Sequence, residues 1–214
     1  MQQLFIKTSL FLQNNKKQIL AFLALILLIV FAFFGYNQYQ LNLEQKYSKL
    51  LHEAIILQDS NKVDAKKAIE EIYKNQQTPA NIKQLAGLRY ASDLVEINPN
   101  EAIAVYQNLL KCSKCDQYLK ELPMFLLAKT FLLSTDSKID IANEIKKLEE
   151  QSKIFRHYIA EQRGIFFFSQ KNFDEAYKIF DFIAKSPESE EMLKNRAKVI
   201  LSTIVSEGYQ PKSS

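Results

Sequence analysis

The sequence predicts an all-α fold in which a single transmembrane helix is followed by helical hairpins. From residue 41 onward, apolar side chains recur at three- and four-residue spacings, the periodicity of an amphipathic helix. The chain has only four Gly and five Pro in 214 residues, and no window alternates like a strand for long. These observations exclude an all-β sandwich or barrel, which needs many turn residues.

Residues 19–36 form the most apolar part of the chain, eighteen positions without a charged side chain. As a helix they span about 27 Å, close to the hydrocarbon thickness of a bilayer. Tyr36 and Tyr39 lie where aromatic rings favour the membrane interface. A cleaved signal peptide is the nearest alternative, but its apolar region is usually shorter, and FAFFGYNQ lacks a small-residue cleavage site. We therefore expect an uncleaved signal-anchor that contacts the lipid bilayer through residues 19–36.

The positive charge of the chain is concentrated before this segment. The net charge is +4, from 28 basic and 24 acidic side chains. Residues 1–18 contain Lys7, Lys16 and Lys17 and no acid, which leaves 25 basic and 24 acidic side chains in the remainder. By the positive-inside rule, residues 1–18 form a cytoplasmic arm and the remainder lies across the membrane, in the periplasm of a bacterium. The near-neutral remainder predicts no nucleic-acid partner.

Turn signals separate the predicted helices that follow. The anchor helix is expected to continue as a stalk over residues 37–60, where Asp59-Ser60-Asn61 breaks it. A helical domain is expected over residues 61–205 and a disordered tail over residues 206–214. In that domain one helix ends near Asn75, a second starts at Thr78-Pro79, and Asn98-Pro99-Asn100 precedes a third. The later helices are predicted at residues 118–133, 139–150, 154–169, 173–184 and 188–205.

Residues 160–187 have the spacing of a repeat made of two helices. The small residues Gly164 and Ala176 lie where antiparallel helices approach closely, and the bulky Phe167 and Phe180 fill the space between them. A short turn joins the two helices, and a proline closes the unit. This arrangement resembles the tetratricopeptide repeat.

Two further copies are less regular. One carries Tyr90-Ala91, Leu94, Ala102 and Tyr106, and the other carries Leu127-Ala128, Phe131 and Ala142 with a longer loop. A repeat of about 34 residues buries its apolar face only against neighbours, so a capping helix is needed, and residues 188–205 are suited to that role. The resemblance therefore predicts a tetratricopeptide-like solenoid of helical hairpins.

Over nearly its whole length, the chain also resembles the ancillary subunit of the Sec translocon. The similarity consists of a short basic arm, one signal-anchor and four stretches in the same order: GLRYASDL, EAIAVYQNLL, LLAKTFLL and AEQRGIFFFSQKNFDEA. The resemblance implies a single-pass protein of the bacterial inner membrane that associates with translocon subunits and contacts periplasmic chaperones or exported chains. A Cys pair and an irregular middle repeat depart from the family pattern.

Candidate binding residues are expected on the concave face of the helical domain. Successive helical residues are about 100° apart, so Phe167 and Phe168 cannot both face the core. The mixture of aromatic and charged groups on this face suits an extended or helical peptide segment. Packing against a neighbouring helix or against the stalk also accounts for the same residues, and the sequence slightly favours this alternative. The predicted groove consists of Phe125, Lys129, Tyr158, Glu161 and Phe168.

Cys112-Ser-Lys-Cys115 is the only motif with intrinsic chemistry. A C-x-x-C pair is redox-active when its first thiol lies at a helix N-terminus in a thioredoxin-like frame. Here the pair follows a helix end and no strand pattern surrounds it. We expect a structural disulfide between Cys112 and Cys115, or free thiols, with a membrane-anchored thiol redox protein as the alternative function. Two cysteines without a nearby His fall short of a structural zinc site.

No catalytic residue, metal, cofactor or small-molecule substrate is predicted. Neither His52 nor His157 belongs to an arrangement typical of a triad or a metal pair. The four Gly are scattered, so there is no glycine-rich loop to bind phosphate. The sequence therefore predicts a membrane-tethered protein-binding scaffold that acts without catalysis, either in Sec export or as an assembly factor for another envelope complex.

Overall fold

The computed structural model describes residues 16–134 and 139–210. Over these residues the chain forms nine α-helices and no strand. The helices are α1 (Lys16–Leu57), α2 (Lys62–Lys74), α3 (Ala80–Leu94), α4 (Pro99–Leu109), α5 (Gln117–Phe131), α6 (Ile141–Gln151), α7 (Arg156–Ser169), α8 (Phe173–Lys185) and α9 (Glu191–Ser206). The all-α prediction is confirmed, and the last five predicted helices begin and end within three residues of the observed ones.

The described residues divide into two units after Tyr47. In the first unit, α1 exposes its apolar side chains along the whole stretch from Leu20 to Tyr36. Among the described residues, α1 is the one helix long and apolar enough to cross a membrane, and a signal sequence has the same properties. This helix is therefore compatible with a single-pass anchor. Most of the predicted cytoplasmic arm, residues 1–15, lies outside the described residues.

The second unit is a series of packed helix pairs. From α2 onward, each helix packs against the next one along the chain, and α3, α5, α7 and α9 also contact one another in series. Short connections between packed neighbours make each pair antiparallel. The result is two layers, with α3, α5, α7 and α9 in one layer and α2, α4, α6 and α8 in the other, the organisation of a helical solenoid.

Asn and Asp side chains begin four of these helices. Each accepts a hydrogen bond from the backbone N–H three residues further on, which satisfies a donor that has no partner inside the helix. The four residues are Asn61, Asn98, Asp140 and Asn172. Pro99 takes the first position of α4, where its missing N–H removes no helical bond. The turn signals seen in the sequence therefore mark real helix boundaries.

Small residues permit close helix contact in the repeat formed by α7 and α8. A Cβ atom on Gly164 would lie 2.8 Å from Cε2 and from Cζ of Phe180. Carbon atoms normally pack at about 3.5–4.0 Å, so only glycine fits this contact without movement of the ring. Ala176 and Phe180 are fully buried, and Phe167 packs against the same cluster. The predicted roles of these four residues are confirmed.

A second close approach involves Gly87 in α3. A Cβ atom there would lie 2.6 Å from Cδ2 of Leu109 and 2.8 Å from Cδ2 of Tyr73. Ala91, a small residue of the same predicted repeat, lies four residues further on and is fully buried. The α3 helix therefore uses two small residues, one turn apart, to approach its neighbours.

A buried glutamine connects three helices. Gln84 of α3 is 2% exposed, and its Nε2 donates to the carbonyl of Leu109 at 3.1 Å and to that of Leu119 at 2.9 Å. Leu119 lies four residues before Pro123, which is inside α5 and has no N–H, so this carbonyl lacks its usual helical donor. Gln84 supplies the missing hydrogen bond from a neighbouring helix.

The chain beyond α9 returns to α8. The ring of Tyr209 lies 5.3 Å from that of Tyr177, and its hydroxyl donates to Oδ1 of Asp174 at 3.1 Å. The ring of Tyr209 thus has an apolar partner and its hydroxyl an acceptor on α8. The disordered tail expected over residues 206–214 stays a prediction. The last four residues of the predicted tail, 211–214, lie outside the described residues.

Candidate functional site

Four aromatic rings from α5 and from the start of α7 lie together on one surface. The ring centroid of Phe155 is 5.3 Å from that of Tyr118, 5.9 Å from that of Phe125 and 6.4 Å from that of Tyr158. Phe125 and Tyr158 also contact each other at 5.9 Å. These separations are typical of favourable aromatic pairs. We call these four side chains the aromatic row.

Helical spacing explains why the rings share a surface. Tyr118 and Phe125 are seven residues apart on α5, which places them on one face two turns from each other. Phe155 is the residue immediately before α7, and Tyr158 follows it by three. Tyr118 is 55% exposed, and the other three rings are half-buried. The aromatic row therefore offers rigid apolar area that remains accessible.

The apolar surface continues onto α9. Met192 and Val199, seven residues apart on one face, are 59% and 64% exposed. A shallow depression of about 760 Å³ on this helix is lined by Met192, Asn195, Arg196, Val199 and Ile200. The guanidinium of Arg196 lies 6.0 Å from the ring of Tyr158, a distance typical of a cation–π contact. Arg196 therefore joins the depression to the aromatic row.

The charged groups at this junction are paired with one another. Arg196 donates through Nε and Nη2 to the two carboxylate oxygens of Glu161, each at 2.8 Å, and this pairing raises the pKa of Arg196. The hydroxyl of Tyr158 donates to Oε2 of Glu190 at 2.6 Å. That hydrogen bond, together with burial, raises the pKa of Tyr158. With its charges paired in this way, the surface presents mainly apolar groups.

A buried carboxylate lies between two members of the aromatic row on α5. Glu121 is 1% exposed, and its Oε2 accepts from the hydroxyl of Ser152 at 2.8 Å and from the N–H groups of Lys153 and Ile154 at 2.8 and 2.7 Å. Its Oε1 accepts from Nε2 of Gln117. Burial alone raises the pKa of Glu121, but these hydrogen bonds outweigh it and the net shift is downward. Glu121 is therefore held as a carboxylate by neutral donors.

Three of the five predicted groove residues meet at this surface. Phe125 and Tyr158 are members of the aromatic row. Glu161 lies beside them but is only 6% exposed, and both of its oxygens accept from Arg196. Its carboxylate therefore supports the surface instead of being free to contact a ligand.

The other two predicted residues lie elsewhere. Lys129 is exposed one turn along α5 from Phe125, where it borders a different depression, together with side chains of α3 and α4. Phe168 is ten residues along α7 from Tyr158, about 15 Å of helix rise. Its ring lies 5.8 Å from that of Phe173. Phe168 therefore packs against the neighbouring helix, which is the alternative that the sequence left open.

Sequence reasoning missed several residues of this surface: Tyr118, Phe155, Met192, Arg196 and Val199. The seven-residue spacing of Met192 and Val199 was an available signal, because a terminal helix of a repeat array usually has a polar outer face. Phe155 gave no comparable signal, since two of its ring contacts come from α5, at least 30 residues earlier in the chain.

The two cysteines form a disulfide in the connection between α4 and α5. Cys112 is half-buried and Cys115 is 5% exposed. Cys112 lies three residues after the end of α4, where a helix dipole does not stabilise a thiolate. The position of the pair is therefore typical of a structural cross-link.

His157 is the second residue to be considered for a catalytic role, because it lies beside a serine. Its Nε2 lies 3.0 Å from the hydroxyl oxygen of Ser186, and its ring stacks on Phe182 at 5.6 Å. Burial lowers the pKa of His157, and the charge of Arg156 lowers it further. A catalytic Ser–His pair also needs a group that orients the second ring nitrogen. Among the residues that the structure describes, none hydrogen-bonds Nδ1, and no three His, Cys, Asp or Glu side chains could hold a metal ion.

A polar depression near the start of α2 is the other recess of note. It contains three basic and three acidic side chains: Lys62, Lys66, Arg89, Asp59, Asp93 and Glu96. Arg89 also donates to Gln58, which in turn donates to Asp93 at 3.2 Å. Because opposite charges are equal in number here, the depression favours neither an anionic nor a cationic ligand.

A family model described as a tetratricopeptide repeat-like domain matches residues 10–200 of the chain. The comparisons with curated proteins and with solved structures gave no match. The repeat resemblance inferred from residues 160–187 is thus confirmed at the level of the repeat family. The narrower resemblance to the Sec subunit stays a prediction.

Proposed function

The chain belongs to the tetratricopeptide repeat-like family, and from this premise we propose that it is a membrane-tethered scaffold that binds a protein segment on α5, α7 and α9. The observation that carries the proposal is the union of the aromatic row with the exposed apolar residues Met192 and Val199 on one surface. Domains of this family typically mediate protein interactions, and we propose that this one acts by binding, without catalysis.

The proposed ligand is a segment that presents apolar side chains, either extended or as one face of a helix. Met192 and Val199 are largely exposed, so covering each would contribute about 1–2 kcal/mol. The rings of the aromatic row add rigid area whose ordering costs little entropy. The paired ions Arg196–Glu161 and the Tyr158–Glu190 hydrogen bond need no new partner when the surface is covered.

The proposed tether is the apolar part of α1, residues 19–36. Its exposed apolar side chains support a membrane location, and the lysines that precede it support a cytoplasmic N-terminus with the helical domain on the other side. A tether raises the effective concentration of the binding surface near membrane partners, so a weak contact suffices for association.

The proposed partners are Sec translocon subunits, periplasmic chaperones or exported chains at the bacterial inner membrane. The support is the order of the four sequence stretches together with the single basic, apolar N-terminal segment. An assembly role for another envelope complex uses the same surface and tether, and is separated from the Sec role by the identity of the captured protein.

Photo-crosslinking in intact membranes tests the proposal. A photo-reactive residue would replace Phe125 or Tyr158 on the surface, and Lys129, which borders a different depression, would serve as a neighbouring position. The matched control would be Lys178, an exposed residue of α8 in the other layer. Adducts with Sec components or exported chains from positions 125 and 158, but not from 178, are expected. Capture of a different envelope complex would replace the Sec role, and equal yields from all four positions would contradict a specific binding surface.

The alternative function, thiol redox chemistry at Cys112 and Cys115, makes a different prediction. A redox protein should lose its function when both cysteines are replaced by Ser, whereas a scaffold should keep its crosslinked adducts. The location of Cys112 beyond the end of α4 favours the scaffold.

A further inference from the structure

One carboxylate determines the shape of the turn between α6 and α7. Three donors from consecutive residues of this turn converge on a single oxygen, Oε2 of Glu121: the hydroxyl of Ser152 and the N–H groups of Lys153 and Ile154. The oxygen of the Ser152 hydroxyl in turn accepts from the N–H of Phe155 at 3.0 Å. A continuous chain of hydrogen bonds therefore connects Glu121 to the backbone of Phe155.

Phe155 is the central ring of the aromatic row. Of the four rings it is the one that contacts all the others, and Tyr118 reaches the row through Phe155. Glu121 lies three residues after Tyr118 and four residues before Phe125 on the same side of α5. The carboxylate and the ring that it holds are therefore parts of one local structure.

We propose that Glu121 is a positioning residue of the binding surface, which through Ser152 places Phe155 at the centre of the aromatic row and so makes capture of a partner segment possible. The claim that Glu121 makes capture of a partner possible rests on the proposed function. The claim that Glu121 positions Phe155 concerns this chain alone and is measured without any partner.

The choice of substitution follows from the geometry. Because all three turn donors converge on one oxygen, the amide oxygen of a glutamine at position 121 can still accept them, but as a neutral acceptor. Hydrogen bonds to a charged acceptor are about twice as strong as those to a neutral one, so Glu121→Gln loosens the turn while preserving the shape of the side chain. Ser152→Ala is the milder variant, since it removes only the hydroxyl that relays the hydrogen bond to Phe155.

A tryptophan at position 155 reports the placement directly, because the chain contains no other Trp. In the full-length protein in detergent, acrylamide quenching of Phe155→Trp would be compared with the same variant carrying Glu121→Gln or Ser152→Ala. The matched control is Glu149→Gln, which weakens another buried acidic group, paired with Arg163 at 2.8 Å and not bonded to the turn. We expect the quenching constant to rise about twofold with Glu121→Gln, less with Ser152→Ala, and not with Glu149→Gln, since opening of the turn exposes the indole.

The effect of Glu121 on partner capture is measured by crosslinking from Val199, which lies on the binding surface but outside the aromatic row. Glu121→Gln should lower the adduct yield by about fivefold relative to Glu149→Gln, as expected for the loss of about 1 kcal/mol. Unchanged quenching in both Glu121→Gln and Ser152→Ala overturns the placement. Increased quenching with an undiminished adduct yield overturns the role in capture. If the otherwise unaltered protein gives no adduct from Val199, the proposed function fails, and the quenching result alone decides the placement.

Discussion

Replacing Gly164 with Ala inserts a methyl group where α7 touches α8. The new Cβ atom would lie 2.8 Å from two ring atoms of Phe180 and 3.3 Å from Cγ2 of Ile179. Phe180 is fully buried, so its ring cannot turn into solvent and the helices must separate. Overpacking of this kind costs about 1–3 kcal/mol, and a contact below 3 Å with a fully buried ring belongs to the upper part of that range, about 2–3 kcal/mol. Alanine regains about 1 kcal/mol through its higher helix propensity, so we expect a net loss of about 1–2 kcal/mol.

Thermal unfolding followed by circular dichroism of the full-length protein in detergent measures this loss. A Tm lower by about 3–6 °C is expected for a unit of this size. Gly35→Ala is the matched control, because it makes the same substitution in α1 where nothing lies within 4 Å of the new Cβ atom. Adding Phe180→Leu to Gly164→Ala should cost less than the sum of the two single changes, since the smaller side chain leaves room for the methyl group.

Two results would refute the packing argument. A Gly164→Ala variant that melts at or above the wild-type temperature would mean that α7 and α8 are not in such close contact. Strict additivity of Gly164→Ala and Phe180→Leu would mean that the two side chains do not interact.

Three shorter predictions concern other parts of the helical unit. Because the folded-state pKa of Glu121 lies below its ordinary value, the unfolded chain takes up the proton first. Stability should therefore be lost as pH falls from the ordinary glutamate pKa through the folded-state one, and urea midpoints should fall less steeply in Glu121→Gln. Burial raises the pKa of Tyr90 to about 12, and nearby carboxylates add to the shift. In an alkaline titration followed by absorbance, the phenolate that forms at the highest pH should therefore be absent from Tyr90→Phe. Replacing Cys112 and Cys115 with Ser should lower the free energy of unfolding by about 2 kcal/mol, the value expected for a cross-link that closes so short a loop.

The helices were predictable because their signals are local. Apolar periodicity and the turn residues around positions 59–61 and 98–100 place helix boundaries using only neighbouring residues, and the boundaries were found within a few positions. The close approach of Gly164 and Ala176 was predictable because both residues belong to a repeat whose spacing is fixed within about 30 residues.

The binding surface was harder to predict because its contacts are distant in sequence. Glu121 follows a lysine on α5, a context typical of a solvated face, and its burial depends on donors 31 to 33 residues further on. The observed α7 begins at Arg156 and not at the predicted residue 154, and the N–H of Ile154 in the preceding turn is bonded to Glu121. Glu161 was expected on the concave face, but its partner Arg196 lies 35 residues away and could not be inferred from neighbouring residues.

Gln84 makes the opening of neighbouring repeats a shared event. In repeat arrays each unit contacts only its neighbours, so a terminal repeat can detach on its own. Here the side chain of Gln84 donates to the carbonyl of Leu109 at the end of α4 and to that of Leu119 inside α5. Because Pro123 has no N–H, no donor within α5 can replace Gln84 at the carbonyl of Leu119. Detaching α3 therefore also removes a hydrogen bond from α5, worth about 1 kcal/mol. Amide protons of α3 and α5 should consequently exchange with solvent through one common opening, so that the two repeats respond to a pulling force or to denaturant as one mechanical element.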